Sequence, residues 1–377
     1  MDLDITADFP QSRFGIILGR DDLIYWHQVC RKRGEDGVSS IVSRTKKVAF
    51  VAQPEYFQCH YGGDLDNLYD VVSFRMTFSG RPEDFRAVME FDADINVFFR
   101  GEFVPDPVLE SLSGIRVNLS TEPFPKLLDE EFIYTSDSIS RVKTFLGIVD
   151  KKFDYIFHYD EASREFLEKQ GIHLSGYFPL PIAIQTYRPL DIAKEHDLFF
   201  IGRSTEHRER FFGPLKRDFD FLHIAHGITG QKLLPYLSSA RFAVNVHAED
   251  ELSWEPRIQL SLACGTLMVS EPISPNTIIR PGREFIEVQT PSELYEVGRE
   301  IISNPEAFES IRLSGFERVR QYLSADKAFQ ALFEGLTNGN FERPVFEKKR
   351  LRLEPLELCA QYNGFDHILD ELKNRHA

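Results

Sequence analysis

The 377-residue sequence predicts an α/β protein with two doubly wound, Rossmann-like domains that face a central cleft. Short apolar segments alternate with amphipathic segments of helical period along both halves, which is typical of parallel sheets covered by helices. The alternation starts afresh after a proline-rich stretch near Asp191. The length also allows two cores of ordinary size. Because such sheets bind ligands at the carboxyl ends of their strands, we expect a ligand between the domains.

The first domain is predicted to span residues 1–190. Its first strand is Val48–Ala52, which Pro54 closes, and the next strands are YDVVSFRM, INVFFRG, IRVNLS and YIFHYD. Amphipathic helices are predicted at RPEDFRAVMEF and DEASREFLEKQG, and the stretch LSGYFPLPIAIQTYRPL favours a last strand followed by a linker. Residues 1–45 contain one strand-like run, FGIILG, and are interpreted as an extension of this domain.

The second domain is predicted to span residues 191–338. Its predicted strands are HDLFFIGR, RFAVNVH, LMVS and EFIEV, with the segment FDFLHIAHG after the first of them and helical patterns between and after the strands. A further helical pattern, FDHILDELKNR, lies in the segment 339–377. Two independent domains with no shared ligand are the alternative to a common cleft.

The stretch 253–269, SWEPRIQLSLACGTLMV, is the most regular helix and strand pair of the second half. Ser253 is a cap candidate, Pro256 suits the first turn, and Gly265 suits the residue that ends a helix. Since ligands of doubly wound sheets lie near helix N-termini and strand ends, we expect the start of this helix to belong to a binding site.

Arg257 is the informative residue of this helix start. A cation in the first turn opposes the helix dipole by a few tenths of a kcal/mol up to about 1 kcal/mol. We therefore expect a bound anion, or an acid such as Glu255 or Glu251, to offset its charge. A solvated arginine is the alternative.

Composition restricts the class of protein. The formal net charge of −15 argues against broad nucleic-acid binding and against a polybasic membrane patch. The abundance of Phe over Trp favours filled apolar cores over a sugar-stacking surface. Cysteines at 30, 59, 264 and 359 form no ligand pair and are read as reduced thiols.

No apolar run reaches the roughly 18 residues of a spanning helix, and the N-terminus is acidic rather than a basic signal region. The sequence thus predicts a cytoplasmic protein without a transmembrane segment, with peripheral membrane contact left open.

Four motifs of the second half carry a resemblance to a known family. They are FFIGR at 199–203, LLPYLSSARFAVNV at 233–246, RIQLSLACGTLMVS at 257–270 and PSELYEVGREIISNPE at 291–306. In this order and spacing they resemble the donor-binding domain of GT-B glycosyltransferases, in particular the CgeB-like group and the group-one domain, over roughly residues 196–335. The first half resembles the family only in its alternating strands.

The resemblance implies a metal-independent glycosyltransferase that needs no cofactor, because the nucleotide-sugar is its substrate. It implies a donor held by the second domain, an acceptor of unknown kind held by the first, and a C-terminal helix that crosses back to the first domain. Many relatives carry an acidic pair eight residues apart at the central helix. Here Leu252 and Leu260 stand at those positions, and Glu255 and Glu251 are the nearby acids.

The donor diphosphate needs N–H donors and cations. Gly202, directly after a strand, permits close backbone approach, and Arg203 and Arg208 are spaced like the basic pair of related donor domains. Together with Arg257 and Glu255 they form the core of the predicted donor site. A solvated start of the helix HRERFF is the alternative for the two arginines.

Further donor-site candidates lie at predicted strand ends and loops. Lys232 opens a predicted helix, His247 ends a strand at the cleft edge, and Asn276 and Thr277 lie in the loop after another strand. A surface lysine, a packing or capping histidine and an ordinary SPN turn are the respective alternatives.

Catalytic candidates in the first half are Glu122, His60 and Asp64, with Asp160 as a further one. An inverting transferase needs a base within hydrogen-bond reach of the acceptor hydroxyl, and Glu122 follows an apolar strand directly. Each candidate has a structural role as its alternative, and a retaining enzyme requires no protein base of this kind.

No metal site is predicted. The pair Asp92 and Asp94 has carboxylate spacing suited to a divalent cation, but its apolar strand follows the pair instead of preceding it. Patterns of P-loop, α/β-hydrolase and zincin sites do not occur in the sequence.

The resemblance therefore implies a hexosyl- or related transferase of glycan biosynthesis. A sugar-nucleotide epimerase or hydrolase on the same architecture is one alternative. The other is a non-catalytic protein that binds a nucleotide-sugar or a glycan, which Leu252 and Leu260 suggest.

Overall fold

The computed structural model of the protein describes residues 46–63, 65–128, 131–249 and 252–348. The predictions for residues 1–45, Asp64, Glu251 and the segment FDHILDELKNR lie outside the described residues. Within them, the predicted α/β class with parallel sheets is confirmed.

The first half is built on a six-stranded parallel sheet with the order β2-β1-β3-β4-β7-β9. Its central strands β1 and β3 are buried almost throughout, as expected for a sheet covered on both faces. The strands are β1 (Lys47–Ala52), β2 (Asp70–Arg75), β3 (Ile95–Phe99), β4 (Ile115–Ser120), β5 (Lys126–Leu128), β6 (Glu131–Ile133), β7 (Tyr155–His158), β8 (Ile172–His173) and β9 (Gly176–Tyr177). The helices are α1 (Pro54–Tyr61), α2 (Arg86–Phe91), α3 (Asp106–Ser111), α4 (Ser136–Phe145) and α5 (Arg164–Lys169).

The second half is built on a five-stranded parallel sheet with the order β11-β10-β12-β13-β14. Each sheet has its own apolar core, one around Phe98 and Ile156 and the other around Leu198 and Val269. The strands are β10 (His196–Ile201), β11 (Phe221–Ile224), β12 (Ala240–Asn245), β13 (Leu267–Ser270) and β14 (Ile286–Glu287). The helices are α6 (Glu206–Asp218), α7 (Leu234–Ser239), α8 (Arg257–Ala263), α9 (Pro291–Ser303), α10 (Glu309–Tyr322) and α11 (Ala325–Thr337).

The carboxyl edges of the two sheets face each other. Asp160, after β7, accepts a hydrogen bond of 2.6 Å from the hydroxyl of Ser274, after β13. Leu252, between β12 and α8, lines a small cavity with Phe124 and Lys126, which follow β4. The space between these edges is called the cleft below.

A second contact between the halves closes the β1 end of the cleft. Helix α1, after β1, lies beside the 3₁₀ helix Gly230–Leu233, after β11. The strand ends therefore meet in matching order, with β1 opposite β11, β4 opposite β12 and β7 opposite β13.

The chain returns to the first half after α10. Phe329 of α11 packs edge to face on Phe50 of β1, with ring centroids 5.1 Å apart. Strand β15 (Val345–Phe346) then pairs antiparallel with β8, and Arg343 donates to Asp154 at 2.8 Å. The domain boundaries near residues 190 and 338 remain predictions.

The predicted start of the central helix was wrong. The helix α8 begins at Arg257, and its N-cap is Pro256, without a side-chain cap. Ser253 does not cap it, because residues 253–255 precede the helix as an irregular segment and the Ser253 hydroxyl lies 3.5 Å from the His247 ring. The predicted end is confirmed, since Gly265 follows the helix with a φ of 70°.

Candidate functional site

The candidate site lies on the second-half side of the cleft, where β10, β12 and β13 end beside the first residue of α8. Gly202 and Arg203 follow β10, His247 follows β12, and Arg257 opens α8. The parallel topology brings these segments together, although they are far apart in the sequence.

Gly202 makes the turn out of β10. Its φ is 148°, and a Cβ atom there would lie 3.0 Å from the Phe200 ring. Its backbone N–H donates to the Ile224 carbonyl at 3.0 Å, and its carbonyl contacts His223 Nε2 at 2.8 Å. Because both backbone groups already have partners in β11, the geometry supports a role in shaping the turn more than a direct phosphate contact.

The two arginines that follow β10 differ in their surroundings. Arg203 is exposed, whereas Arg208 is 4% exposed. Arg208 Nε donates to the Val246 carbonyl at 2.9 Å, and its Nη1 donates to the Arg203 carbonyl at 2.9 Å. Arg208 therefore joins the ends of β10 and β12, and Arg203 is the residue whose charge faces the cleft.

The charge of Arg203 acts across the cleft on the Asp137 carboxyl group. Burial raises the pKa of Asp137, in the first turn of α4, and Glu249 raises it further, whereas Arg203 lowers it. Asp137 belongs to the first half and the other two residues to the second, so charged groups of both halves meet here.

Arg257 is held by the end of β12 and by an acid. Its Nη1 donates to Asn245 Oδ1 at 3.1 Å and lies 3.8 Å from Glu255 Oε1. Its guanidinium also lies over the Phe200 ring, 5.1 Å from the centroid. The expectation that Glu255 offsets this cation at the helix start is confirmed.

His247 is buried at the centre of a polar cluster. Its Nδ1 lies 2.8 Å from Glu255 Oε1 and its Nε2 lies 2.7 Å from the Pro272 carbonyl. Burial opposes a charged ring, but Glu255, then Glu271 and the Pro272 carbonyl, raise the pKa of His247 to about 9. Both ring nitrogens are engaged within the protein, so the geometry does not favour a direct contact of His247 with a donor sugar.

Glu255 is the counterpart of this histidine. Burial raises its pKa, but His247, Arg257 and Asn245 outweigh burial and hold the pKa well below its usual range. Leu260, at one of the two positions where relatives carry an acid, is 7% exposed within α8. Leu252, at the other, packs against the first half.

Two residues of this cluster were missed in the sequence. Glu271 accepts from the His247 backbone N–H at 2.7 Å and contacts His207 Nε2 at 2.9 Å. It is 6% exposed and follows β13 directly. The rule that polar residues at strand ends form the site could have found it, but no local pattern distinguishes His207 from other polar residues of α6.

Lys232 lies at the β11 end of the cleft. It is exposed and lines a depression of about 300 Å³ with residues of α1 such as Glu55 and Gln58. The position is compatible with a ligand contact, although Lys232 is distant in sequence from the other cations of the site.

Asn276 and Thr277 form a turn. Asn276 Oδ1 accepts from the N–H groups of Ile278 and Ile279 at 3.0 and 2.7 Å. The carbonyl of the exposed Thr277 accepts a hydrogen bond of 3.0 Å from Arg318 Nη2. These bonds agree with the alternative of an ordinary turn.

The first-half candidates have protein partners. Glu122 forms ion pairs with Arg100 and Arg141, and its side chain is 13% exposed. A carboxylate between two guanidinium groups is poorly placed to take a proton from a hydroxyl. His60 is fully buried, contacts the Pro181 carbonyl at 2.7 Å, and burial lowers its pKa to about 4.

Asp160 links the halves. Besides accepting from Ser274, it lies 3.4 Å from the Lys126 ammonium group, and both side chains are at most 2% exposed. The position suits a structural ion pair at the edge of the cleft more than a base open to an acceptor.

The pair Asp92 and Asp94 lies away from the cleft. Both residues precede β3 and therefore lie at the amino edge of the first sheet, where Asp94 Oδ2 accepts from the Lys47 N–H at 2.8 Å. Among the residues that the structure describes, no group of three or more His, Cys, Asp or Glu side chains is arranged to hold a metal ion. None of the described helices has the length and apolarity to cross a bilayer.

The solved structures of several glycosyltransferases resemble this fold. Sucrose-phosphate synthase from Thermosynechococcus elongatus is similar with a TM-score of 0.53 and 12% identity, covering 78% of this chain and 100% of that one. HepE from Anabaena, in a complex with UDP and glucose, is similar with a TM-score of 0.52 and 11% identity, again covering 78% of this chain and 100% of that one. AviGT4, a glycosyltransferase of avilamycin A biosynthesis, is similar with a TM-score of 0.50 and 16% identity, covering 77% of this chain and 96% of that one. At these identities the likeness establishes the fold.

The sequence comparisons address the second half. A comparison with curated proteins gave no match. Residues 198–334, which contain Gly202, Arg203, His247 and Arg257, match the family described as Glycosyl transferase-like. Residues 198–334 are thus similar to a glycosyl transferase-like family, and the fold of the chain is that of the GT-B glycosyltransferases.

Proposed function

We propose that this protein transfers a sugar from a nucleoside diphosphate sugar to an acceptor, with the donor held on the second-half side of the cleft. The observation that carries the proposal is the pair Arg203 and Arg257 at the carboxyl edge of the second sheet, within the segment that matches the family. A diphosphate carries negative charge that grows as it departs, and guanidinium groups bind it with paired hydrogen bonds.

In this reaction the bond from the sugar C1 to the phosphate oxygen breaks, and the acceptor oxygen bonds to C1. The acceptor proton leaves to the departing diphosphate or to a base. We propose that the chain contributes mainly by positioning the two substrates between its halves and by stabilising the diphosphate. Arg203 and Arg257 provide the positive charge, so the reaction is proposed to need neither a cofactor nor a metal ion.

The nucleotide is the first unknown. HepE was solved with UDP and glucose, which makes UDP and UDP-glucose the first ligands to try. A glucosyltransferase of the same fold was solved with UDP and a DNA 13-mer that contains a modified base. The net charge of −15 of the present chain does not favour a nucleic-acid acceptor.

The test is a thermal-shift screen of the purified protein against UDP, GDP, CMP, dTDP, ADP and their common sugar conjugates. A ligand at about a hundred times its dissociation constant stabilises by about 2.7 kcal/mol. We expect one nucleotide to raise the melting temperature, and Arg257→Ala to abolish the shift. The matched control is Arg217→Ala, since Arg217 is 72% exposed and pairs with Asp218.

Each outcome has a consequence. No shift with any nucleotide contradicts the donor site. A shift without product release in the presence of acceptors favours the non-catalytic binding protein. Release of free sugar without any acceptor favours a hydrolase.

A further inference from the structure

The nearest partners of the His247 ring nitrogens are two acceptors, and the Ser253 hydroxyl lies farther away, 3.5 Å from Nδ1. Nδ1 lies 2.8 Å from a carboxylate oxygen of Glu255, and Nε2 lies 2.7 Å from the Pro272 carbonyl. A neutral imidazole carries one N–H, so it can satisfy only one of these acceptors. The two short contacts therefore fit the doubly protonated ring, which donates to both acceptors and is 1% exposed.

A chain of hydrogen bonds leads from this ring to Arg257. The second oxygen of Glu255 accepts from Asn245 Nδ2 at 3.2 Å, and Asn245 Oδ1 accepts from Arg257 Nη1 at 3.1 Å. Asn245 is fully buried and is held further by Ser270 at 2.9 Å. The position of the Arg257 guanidinium thus depends on where Glu255 is fixed.

The same ring joins the two loops that border the site. Residues 246–249 and 252–256 belong to the first loop, between β12 and α8, and residues 271–275 form the second, after β13. His247 contacts Glu255 in the first loop and Pro272 in the second. The His247 backbone N–H adds a bond of 2.7 Å to Glu271. His247 is therefore the residue through which both loops are held together.

The charges around the ring come from several elements. They are the carboxylates of Glu255 and Glu271, the Arg257 guanidinium, and His207 of α6, which contacts Glu271 at 2.9 Å. With a charged ring, Glu255 has a close partner of its own. Without that charge, the Glu255 carboxylate is left beside Arg257 at 3.8 Å and attracts the guanidinium that an anionic ligand needs.

We propose that His247, held as an imidazolium, is the positioning residue of the donor site: it occupies Glu255 and so leaves Arg257 oriented toward the donor diphosphate. This inference rests on the proposed function. His247 does not touch the donor in this scheme and acts through Glu255 and Asn245.

The first experiment reads the charge state directly and needs no ligand. Protein labelled with nitrogen-15 in its histidines is compared with His247→Gln by NMR at about pH 7, which identifies the His247 ring signals. We expect both ring nitrogens to be protonated and to remain so until the pH approaches about 9. A ring with one unprotonated nitrogen overturns the proposal.

The second experiment measures the dissociation constant of the nucleoside diphosphate found in the screen. We expect His247→Gln to weaken binding by about tenfold or more. Affinity of the unchanged protein should fall as the pH rises through about 9, and this fall should be missing in His247→Gln. The ligand's own titration is common to both proteins and cancels in the ratio of their constants.

The matched control is His196→Gln. His196 opens β10 at the opposite edge of the sheet, where it contacts Asp220. The His196→Gln variant should bind the nucleotide with the same affinity as the unchanged protein. Equal affinity and parallel pH profiles in His247→Gln and the unchanged protein overturn the proposal.

A fallback variant covers a folding failure. If His247→Gln does not fold, the double variant His247→Gln/Glu255→Gln removes the buried carboxylate together with its partner. We expect it to fold, to bind with an affinity that does not change near pH 9, and to identify the His247 signals in the NMR comparison. A double variant that keeps the pH profile of the unchanged protein contradicts the role of His247.

The two proposals fail in different ways. If no nucleotide binds the unchanged protein at any pH, the proposed function fails, and the NMR result still stands for the charge state of the ring. If a nucleotide binds and His247→Gln changes nothing, only the positioning role fails.

Discussion

We expect two buried histidines to differ in charge, with His247 positive and His60 neutral, because their ring nitrogens face different groups. His247 faces a carboxylate and a carbonyl, which favour the charged ring. His60 faces one carbonyl, of Pro181, and its Nε2 is buried without a partner among the described residues. Burial without a counter-charge favours the neutral ring.

His60 should make the protein sensitive to acid. Its pKa is about 4 in the folded protein against an ordinary 6.5, so the unfolded chain binds a proton first as the pH falls. Stability from this residue is present above pH 6.5 and is lost toward pH 4, by about 3 kcal/mol. Urea unfolding of the unchanged protein and His60→Gln at several pH values checks this.

Comparing the unchanged protein with His60→Gln separates the effect of His60 on stability from that of the carboxylates that also titrate in acid. The control is His173→Gln, whose side chain is 42% exposed. An identical loss of unfolding free energy in the unchanged protein and in His60→Gln between pH 6.5 and about 4 would contradict the prediction.

Gly202 should tolerate no side chain. Its φ of 148° is strained for other residues, and a Cβ would lie 3.0 Å from the Phe200 ring. We expect Gly202→Ala to lower the free energy of unfolding by about 1–3 kcal/mol and to weaken nucleotide binding, because Arg203 follows directly. Denaturant unfolding and the thermal-shift assay measure the two effects.

A second glycine provides the control for this substitution. Gly147 is an exposed residue of the short 3₁₀ turn after α4, where a Cβ would have one neighbour, the Glu102 carbonyl at 3.9 Å. Gly147→Ala should be neutral or stabilising by about 0.5–1 kcal/mol. If the two substitutions cost the same, strain at Gly202 is not the cause.

At the scale of elements, strand ends of the two sheets are joined across the cleft. Asp160 after β7 accepts from Ser274 after β13, and the Lys126 ammonium group lies 3.4 Å from the same carboxylate. All three side chains are at most 2% exposed, so the contact lies in a dry region where an unpaired charge is costly.

Removing the two partners should therefore have unequal effects. Asp160→Ala leaves the Lys126 charge buried and should cost about 3–5 kcal/mol of unfolding free energy. Ser274→Ala removes one hydrogen bond and should cost about 1–3 kcal/mol. Urea unfolding measures both, with Ser303→Ala on an exposed helix end as the control. Equal small costs would mean that the carboxylate is solvated.

At the scale of the whole molecule, α11 couples the two halves. It follows the second half in the chain, yet Phe329 packs on Phe50 of β1 and on Phe178, with ring centroids 5.1 Å apart in each case. The described residues accordingly all lie within one compact unit. The first half thus completes its core with a helix from the other end of the chain.

Phe329→Ala should lower the unfolding free energy of the whole molecule. Emptying this fully buried site should cost about 3–5 kcal/mol, and we expect calorimetry to show one transition that moves to lower temperature. Leu313→Ala, at a side chain that is 41% exposed, should leave the transition nearly in place. Two transitions of which only one moves would show that the halves unfold independently.

Much of the fold could be predicted from the sequence because strands and helices leave local patterns. The strands predicted within the described residues appear in the sheets, and Gly265 takes the positive φ that suits a residue that ends a helix. The start of α8 could not be predicted, because Ser253 faces His247 instead of capping the helix. A cap motif is local, whereas that contact depends on a loop from β12.

The sequence by itself determined the α/β class and the repeated strand and helix order, and it pointed to the segment of the candidate site, since these follow from the periodicity of apolar residues and from glycine. Only the tertiary structure decided which charges meet. It pairs Glu122 with Arg100 and Arg141, and it encloses His247 between Glu255 and Pro272. The physical reason is that parallel strands bring distant strand ends to one edge, and the charge state of a buried group depends on those neighbours and not on its own sequence context.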